Sequence, residues 1–224
     1  MNPPLTRRDL LISGTSLATA LMPSSASSMT PLNDQLYFTA FRNGSRLGHH
    51  RLTLSADGDL QIIEIEIVFD VSFTIIPLYR YRHYNREVWQ NNRLVELVAK
   101  TDDDGEAYEV RAAARGDRLL VEGSGGRLDL PGKTMSTSYW NEAIGRRGVW
   151  LDTQSGKLVT SKVEARPVER VRAAGSIVEA KPYILTGDIA CTLWYSDGAW
   201  VKLNFVGGDG STIDYELDPP GMAG

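Results

Sequence analysis

The sequence predicts an all-β protein with one short helix: a strongly curved antiparallel sheet, built as an incomplete β-barrel or a sandwich, of about ten to twelve strands. Three observations predict it. From Ile63 to Phe73 the odd positions Ile63, Ile65, Ile67, Phe69, Val71 and Phe73 are apolar, while Glu64, Glu66, Asp70 and Ser72 alternate with them. This period of two buries one face of a strand and wets the other, as antiparallel sheets do. Asn43-Gly44, Asp57-Gly58, Asp104-Gly105, Asp197-Gly198 and Asp209-Gly210 separate such runs, and Asn or Asp before Gly suits the positive φ of tight hairpin turns. No helical stretch has the length that a parallel βαβ crossover needs.

The elements follow in chain order. Thr6-Arg7-Arg8-Asp9-Leu10-Leu11-Ile12 opens a mildly apolar run to Met22, and the small residues Ser24-Ser25-Ala26-Ser27-Ser28 come next. Paired arginines, a short apolar region and a small-residue cleavage zone are the order of a twin-arginine (Tat) signal peptide, expected over residues 1–28. The apolar run is about 13 residues, against the roughly 20 a membrane-crossing helix needs. Periplasmic or secreted localisation follows, with the Tat translocase and signal peptidase as partners during export. Residues 35–217 read as a single β-rich domain and 218–224 as a frayed tail.

The strand from Tyr79 to Trp89 carries the most chemistry. Alternation puts Tyr79, Tyr81, His83, Asn85, Glu87 and Trp89 on one face and Arg80, Arg82, Tyr84, Arg86 and Val88 on the other. The arginine stripe pairs with acids of a neighbouring strand, Glu64, Glu66 and Asp70 across the hairpin. The aromatic face has two readings: a wall of a ligand cavity, or a partly polar core whose polar groups satisfy one another. His83 and Glu87 stand about 13 Å apart along an extended strand, too far for a direct acid–base pair.

Pro131-Gly132-Lys133 ends a strand. Ser136 or Ser138 with Glu142 could then cap a short helix that Gly145 ends, carrying Tyr139, Trp140 and Ile144 to plug an open side of the sheet. The candidate ligand-binding set is therefore Tyr79, Tyr81, His83, Glu87, Trp89, Tyr139, Trp140, Asn141 and Trp194.

Composition narrows the function classes. With 224 residues, 42% hydrophobic and 23% charged, the chain has a globular balance, and its net charge of −4 disfavours nucleic acid and anionic lipid as partners. No stable membrane insertion is expected. No metal and no cofactor is implied: the histidines are His49, His50 and His83, and neighbours in a strand point to opposite faces. No Gly-x-Ser-x-Gly or His-Glu-x-x-His occurs. Cys191 is the one cysteine and reads as a small buried apolar residue rather than a nucleophile.

Tyr81-x-His83-x-x-x-Glu87-x-Trp89, Ser138-Tyr139-Trp140-Asn141, Leu151-Asp152-Thr153-Gln154-Ser155-Gly156, Leu193-Trp194-Tyr195 and Asp209-Gly210-Ser211-x-Ile213-x-Tyr215 together resemble an uncharacterised family of exported bacterial proteins, a domain of unknown function. The likeness spans nearly all of residues 35–217. More distantly the pattern is similar to the LolA/LolB-like periplasmic lipoprotein carriers, which implies an incomplete barrel with helices over an apolar hollow. The leading expectation is a non-enzymatic periplasmic protein that binds an apolar or amphipathic small molecule in the concave face. The rivals are a hydrolase or isomerase using His83 and Glu87 with Trp140 and Asn141, and an envelope interaction protein using a sheet edge.

Overall fold

The computed structural model describes residues 34–73 and 76–221; the leader read over residues 1–28 lies outside the described residues. Fifteen strands form one sheet. They are Asp34–Arg42 (β1), Ser45–Asp57 (β2), Leu60–Phe73 (β3), Ile76–Gln90 (β4), Arg93–Asp103 (β5), Glu106–Arg115 (β6), Arg118–Gly123 (β7), Gly126–Pro131 (β8), Val149–Leu151 (β9), Leu158–Ala165 (β10), Glu169–Ala173 (β11), Ser176–Gly187 (β12), Cys191–Ser196 (β13), Ala199–Val206 (β14) and Thr212–Leu217 (β15).

The order across the sheet is β8-β7-β6-β5-β4-β3-β2-β1-β15-β14-β13-β12-β10-β9, with β11 also paired to β12. Each named pair is antiparallel. The first and last of these described strands therefore pair in the middle, Ala40 opposite Tyr215. One curved, open sheet decides between the barrel-like and sandwich readings in favour of the first.

The strand number exceeds the expectation of ten to twelve because two hairpins carry weak turn signals. The turn between β11 and β12 places Ala174 at φ 49° before Gly175 at 75°, and an alanine does not announce a left-handed turn. The turn between β7 and β8 is Ser124-Gly125. Elsewhere the chemistry reads through: Asn43, Asp104 and Asp197 all take positive φ, each followed by a positive-φ glycine, as type I′ turns require.

The roll nearly closes on itself. After β8 the chain crosses to β9, where Ser136 bridges Leu151 in parallel. Thr137 N–H donates to the Leu151 carbonyl at 3.0 Å and Leu151 N–H to that of Met135 at 2.8 Å. Residues 132–157 thus form a strap joining the two ends of the sheet. The predicted helix is present as a single 3-10 segment, Glu142–Arg146. Its cap differs from the expected serines: Asn141 accepts the Ala143 N–H at 2.9 Å, because Ser136 and Ser138 turn inward to each other at 2.8 Å. Gly145 lies inside the segment, where the Tyr183 ring leaves no room for a Cβ: its nearest atoms would be 2.5 Å away.

Inside the roll, Trp89, Trp150 and Trp200 are fully buried among Phe38, Leu52, Leu94, Leu97, Leu119 and Leu151. Truncating such a tryptophan typically costs about 3–5 kcal/mol. A second, smaller apolar cluster of Val171, Ala173, Ala180 and Val201 lies apart from this core. The arginine stripe on the outer face of β4 pairs with acids on both neighbours: Arg82 with Asp70 at 2.9 Å, Arg80 with Asp102 at 2.6 Å and Arg86 with Glu96 at 3.5 Å. Beyond β15, Asp218 is held to β1, its N–H on the Tyr37 carbonyl at 2.9 Å and its carboxylate on the Thr39 hydroxyl at 2.8 Å.

Candidate functional site

Register turns the strand pattern into a site. One row across the sheet reads Tyr215, Ala40, Gly48, Phe69, Tyr81, Asp103. The next reads Phe38, His50, Ile67, His83, Thr101. Ala40 and Gly48 leave space in the middle of the first row, and over it the rings of Tyr215 and Phe69 meet edge-on at 6.1 Å. Phe69 and Tyr81 are stacked at 5.7 Å, and Tyr81 and His83 at 6.3 Å.

Against these rows the interior is hollow. A cavity of about 520 Å³ lies between the sheet, the strap and the Asp188–Cys191 connection. Ordered interiors carry few voids larger than one water, whereas small-molecule sites begin at about 300 Å³. Its lining mixes two chemistries. Tyr79, Tyr81, His83, Thr137, Asp152, Thr153 and Gln154 supply polar groups; Ile67, Phe69, Ile189, Leu203, Phe205 and Val206 supply apolar surface. A second hollow of about 570 Å³, with Arg42, Leu47, Val71 and Ile213, shares Phe69, Tyr79 and Phe205 with the first.

The polar groups are tied to the strap. The Tyr81 hydroxyl donates to Gln154 Oε1 at 3.0 Å, Gln154 Nε2 donates to Asp103 at 3.3 Å, and the Tyr79 hydroxyl donates to the same carboxylate at 2.8 Å. His83 Nδ1 lies 2.8 Å from Thr101 Oγ1 and Nε2 lies 3.4 Å from Thr153 Oγ1. Burial pushes its imidazole down to about 4, with the nearby Asp152 opposing that shift, so His83 is neutral at pH 7. Burial likewise raises the phenols of Tyr79, Tyr81, Tyr139 and Tyr215 and pushes the Cys191 thiol up to about 12. A thiol held protonated is a poor nucleophile. Among the described residues no three His, Cys, Asp or Glu side chains group closely enough to hold a metal ion.

The other half of β4 enters filled core. Glu87 is fully buried in a row with Leu54, Ile63, Leu97, Ala112 and Val121. Its carboxylate accepts from Asn85 Nδ2 at 2.9 Å, Trp89 Nε1 at 2.7 Å and Ser138 Oγ at 3.2 Å. Burial raises this carboxyl above its usual value, and the hydrogen bonds only partly offset it.

Of the residues named from sequence, the structure brings Tyr79, Tyr81, His83 and Tyr139 to the cavity. Glu87 and Trp89 lie in the packed region with Ser138. Trp140 packs on Trp89, ring centres 5.5 Å apart, and Asn141 caps the 3-10 segment. Trp194 packs with the second cluster, its indole N–H on Glu169 at 2.6 Å and Lys202 over its ring at 5.3 Å. Phe69, Asp152, Thr153, Gln154, Phe205 and Tyr215 join the site without having been named for it. Asp152 to Gln154 and Tyr215 belong to the motifs quoted above, but only the strap and the β1–β15 pairing carry them to β4.

Tyr139 takes φ 61°, a left-handed conformation that costs a bulky residue of order 1–3 kcal/mol. The Tyr195 hydroxyl donates to its carbonyl at 2.7 Å, and its ring stands edge-on to Trp200 at 5.8 Å. This holds the Tyr139 phenol over the cavity.

A comparison with curated proteins finds no match. Among solved structures, a β-barrel-like protein of the domain of unknown function DUF1849 from Brucella abortus superposes with a TM-score of 0.60 at 14% identity, covering 84% of this chain and 96% of that one. At that identity the likeness shows the fold alone, a β-barrel-like one. A family model matches residues 38–218, from the middle of β1 to just past β15, and so the strands, strap and cavity described above are those of a member of the domain-of-unknown-function family DUF6134.

Proposed function

We propose that this protein is an exported, non-enzymatic binding protein that takes one apolar or amphipathic small molecule into the hollow of its rolled sheet. The observation that carries the reading is the cavity of about 520 Å³ lined by both polar and apolar side chains, beside a core packed around buried tryptophans. Its rim carries the exposed residues Asp188, Ala190 and Val206, which gives a ligand a way in. Export is supported by Arg7-Arg8 and the apolar and small residues after them.

The catalytic alternative is not favoured. It needs His83 and Glu87 on one reacting centre, yet Glu87 is engaged by Asn85, Trp89 and Ser138 and His83 by Thr101, and Glu87 is not among the residues around the cavity.

The test uses Nile red, an uncharged fluorophore that brightens in apolar surroundings. Saturable one-to-one binding is expected, and Ala190→Trp, a bulky replacement at an exposed rim position, should weaken it at least tenfold with an unchanged melting temperature. No saturable binding, or equal binding to Ala190→Trp, refutes the reading.

A further inference from the structure

We propose that the cavity selects an uncharged ligand, an apolar skeleton carrying an alcohol, ketone or ester oxygen, and rejects carboxylates and alkylammonium ions. The inference rests on the binding role proposed above and names its ligand class.

The argument is an account of what the polar groups around the cavity still lack. An anion would need a cation or several free donors, because an unpaired charge out of water costs far more than a hydroxyl. Among the described residues around this cavity there is no Lys or Arg, and its histidine is neutral at pH 7. The fixed charges there are the carboxylates of Asp152 and Asp188, of the wrong sign.

A cation would need a buried carboxylate without a structural task, and none is offered: Asp188 is exposed at the rim, Asp152 holds a turn, and Asp103, beside the cavity, ties β4 to the strap. Asp152 accepts the N–H of Ser155 at 2.9 Å and its hydroxyl, Asp188 accepts the Thr160 N–H at 2.8 Å, and Asp103 takes the Tyr79 hydroxyl and Gln154. Each holds a turn or the strap in place, so a competing ammonium group would have to break the wall that forms the site.

Two phenols remain. The hydroxyls of Tyr139 and Tyr215 have no hydrogen-bond partner among the described residues, and both residues face the cavity. Burial keeps both protonated, so each offers an O–H donor, and with no cation beside them to neutralise an anion an uncharged oxygen is the acceptor that fits. Phe69, Leu203 and Phe205 complete the space with apolar surface.

The experiment measures displacement of Nile red at pH 7.5 by 1-dodecanol, dodecanoate and dodecylammonium, three molecules sharing one chain and differing in head group. The alcohol should displace at least tenfold more effectively than either ion. Tyr139→Phe/Tyr215→Phe should lower the alcohol's affinity about tenfold, while its melting temperature stays within a few degrees of the parent. If either ion matches the alcohol, the proposed selectivity is wrong while the cavity still binds. Loss of dodecanoate binding in Arg42→Gln would then place its head group at the second hollow, beside the Arg42–Asp209 pair. If Nile red binds and the alcohol fails to compete, or if the double variant keeps full affinity for the alcohol, the proposal is overturned. If Nile red itself does not bind, the binding role falls with it.

Discussion

The indole N–H of Trp89 donates to Glu87 Oε2 over 2.7 Å, between two residues on the same face of one strand. A carboxyl here has no basic partner; its companions are donors from Asn85, Trp89 and Ser138. Full burial disfavours the ionised form and outweighs those donors, which favour it, so the folded state holds the proton more tightly than the unfolded chain does and Glu87 is raised above 4.5. A raised value contributes stability that is complete below 4.5 and is lost as pH climbs through the folded value. Glu87→Gln should match the parent near pH 4 and melt higher than it at pH 8, because the amide stays neutral where the buried carboxyl ionises; its N–H can meet Asn85 Oδ1, which has no partner among the described residues, once that side chain turns over. Glu87→Ala leaves the donors stranded and should cost about 2–4 kcal/mol. Thermal melts across pH 4–8 check both; a parent-like slope in Glu87→Gln would refute the assignment.

His50 predicts the opposite slope. It is sealed among Phe38, Trp200 and Tyr215 with both ring nitrogens unpartnered, and burial pushes it down to about 3. The unfolded chain takes up a proton near 6.5 while the folded one does not, so stability present above 6.5 is lost as pH falls toward 3. With His83, pushed down to about 4, the combined slope should approach about 2.7 kcal/mol per pH unit. His50→Leu should halve that slope and stabilise the protein at pH 7 by about 1–3 kcal/mol, through loss of the unsatisfied nitrogens. Urea melts at pH 5 and pH 7 measure both quantities.

Gly48 should be irreplaceable and Gly44 nearly free. A Cβ on Gly48 would stand 1.9 Å from the Val68 carbonyl oxygen, while one on Gly44, at φ 79°, meets nothing within 4 Å. Gly44→Ala should cost about 1 kcal/mol, the penalty of the left-handed turn, and Gly48→Ala at least about 3 kcal/mol as β2 and β3 are forced apart. Equal costs by denaturant unfolding would contradict the registered pairing of these strands.

The proposed export makes a prediction at the other end of the chain. Arg7→Lys/Arg8→Lys should keep the protein in the cytoplasm with its leader attached, whereas the parent should appear in the periplasmic fraction near 28 residues shorter, if the small-residue zone is the cleavage zone. Cell fractionation with intact-mass measurement decides it.

The sequence by itself determined the local structure. Period-two runs and Asn-Gly or Asp-Gly turns specify antiparallel strands and where they reverse, because side-chain alternation and positive φ are properties of a few neighbouring residues. They also put Tyr79, Tyr81, His83 and Glu87 on one face of β4. Only the tertiary structure decided that this face is hollow at its Tyr79 end and filled at its Trp89 end. That difference comes from residues far apart in the chain: Ser138 meeting Glu87, and Tyr215 reaching Phe69 over the small residues Ala40 and Gly48. The fate of Trp194 was hidden for the same reason. Alternation assigns a residue to a face, but which face encloses the core is set by the direction in which the whole sheet rolls, and that direction is a sum over all fifteen strands.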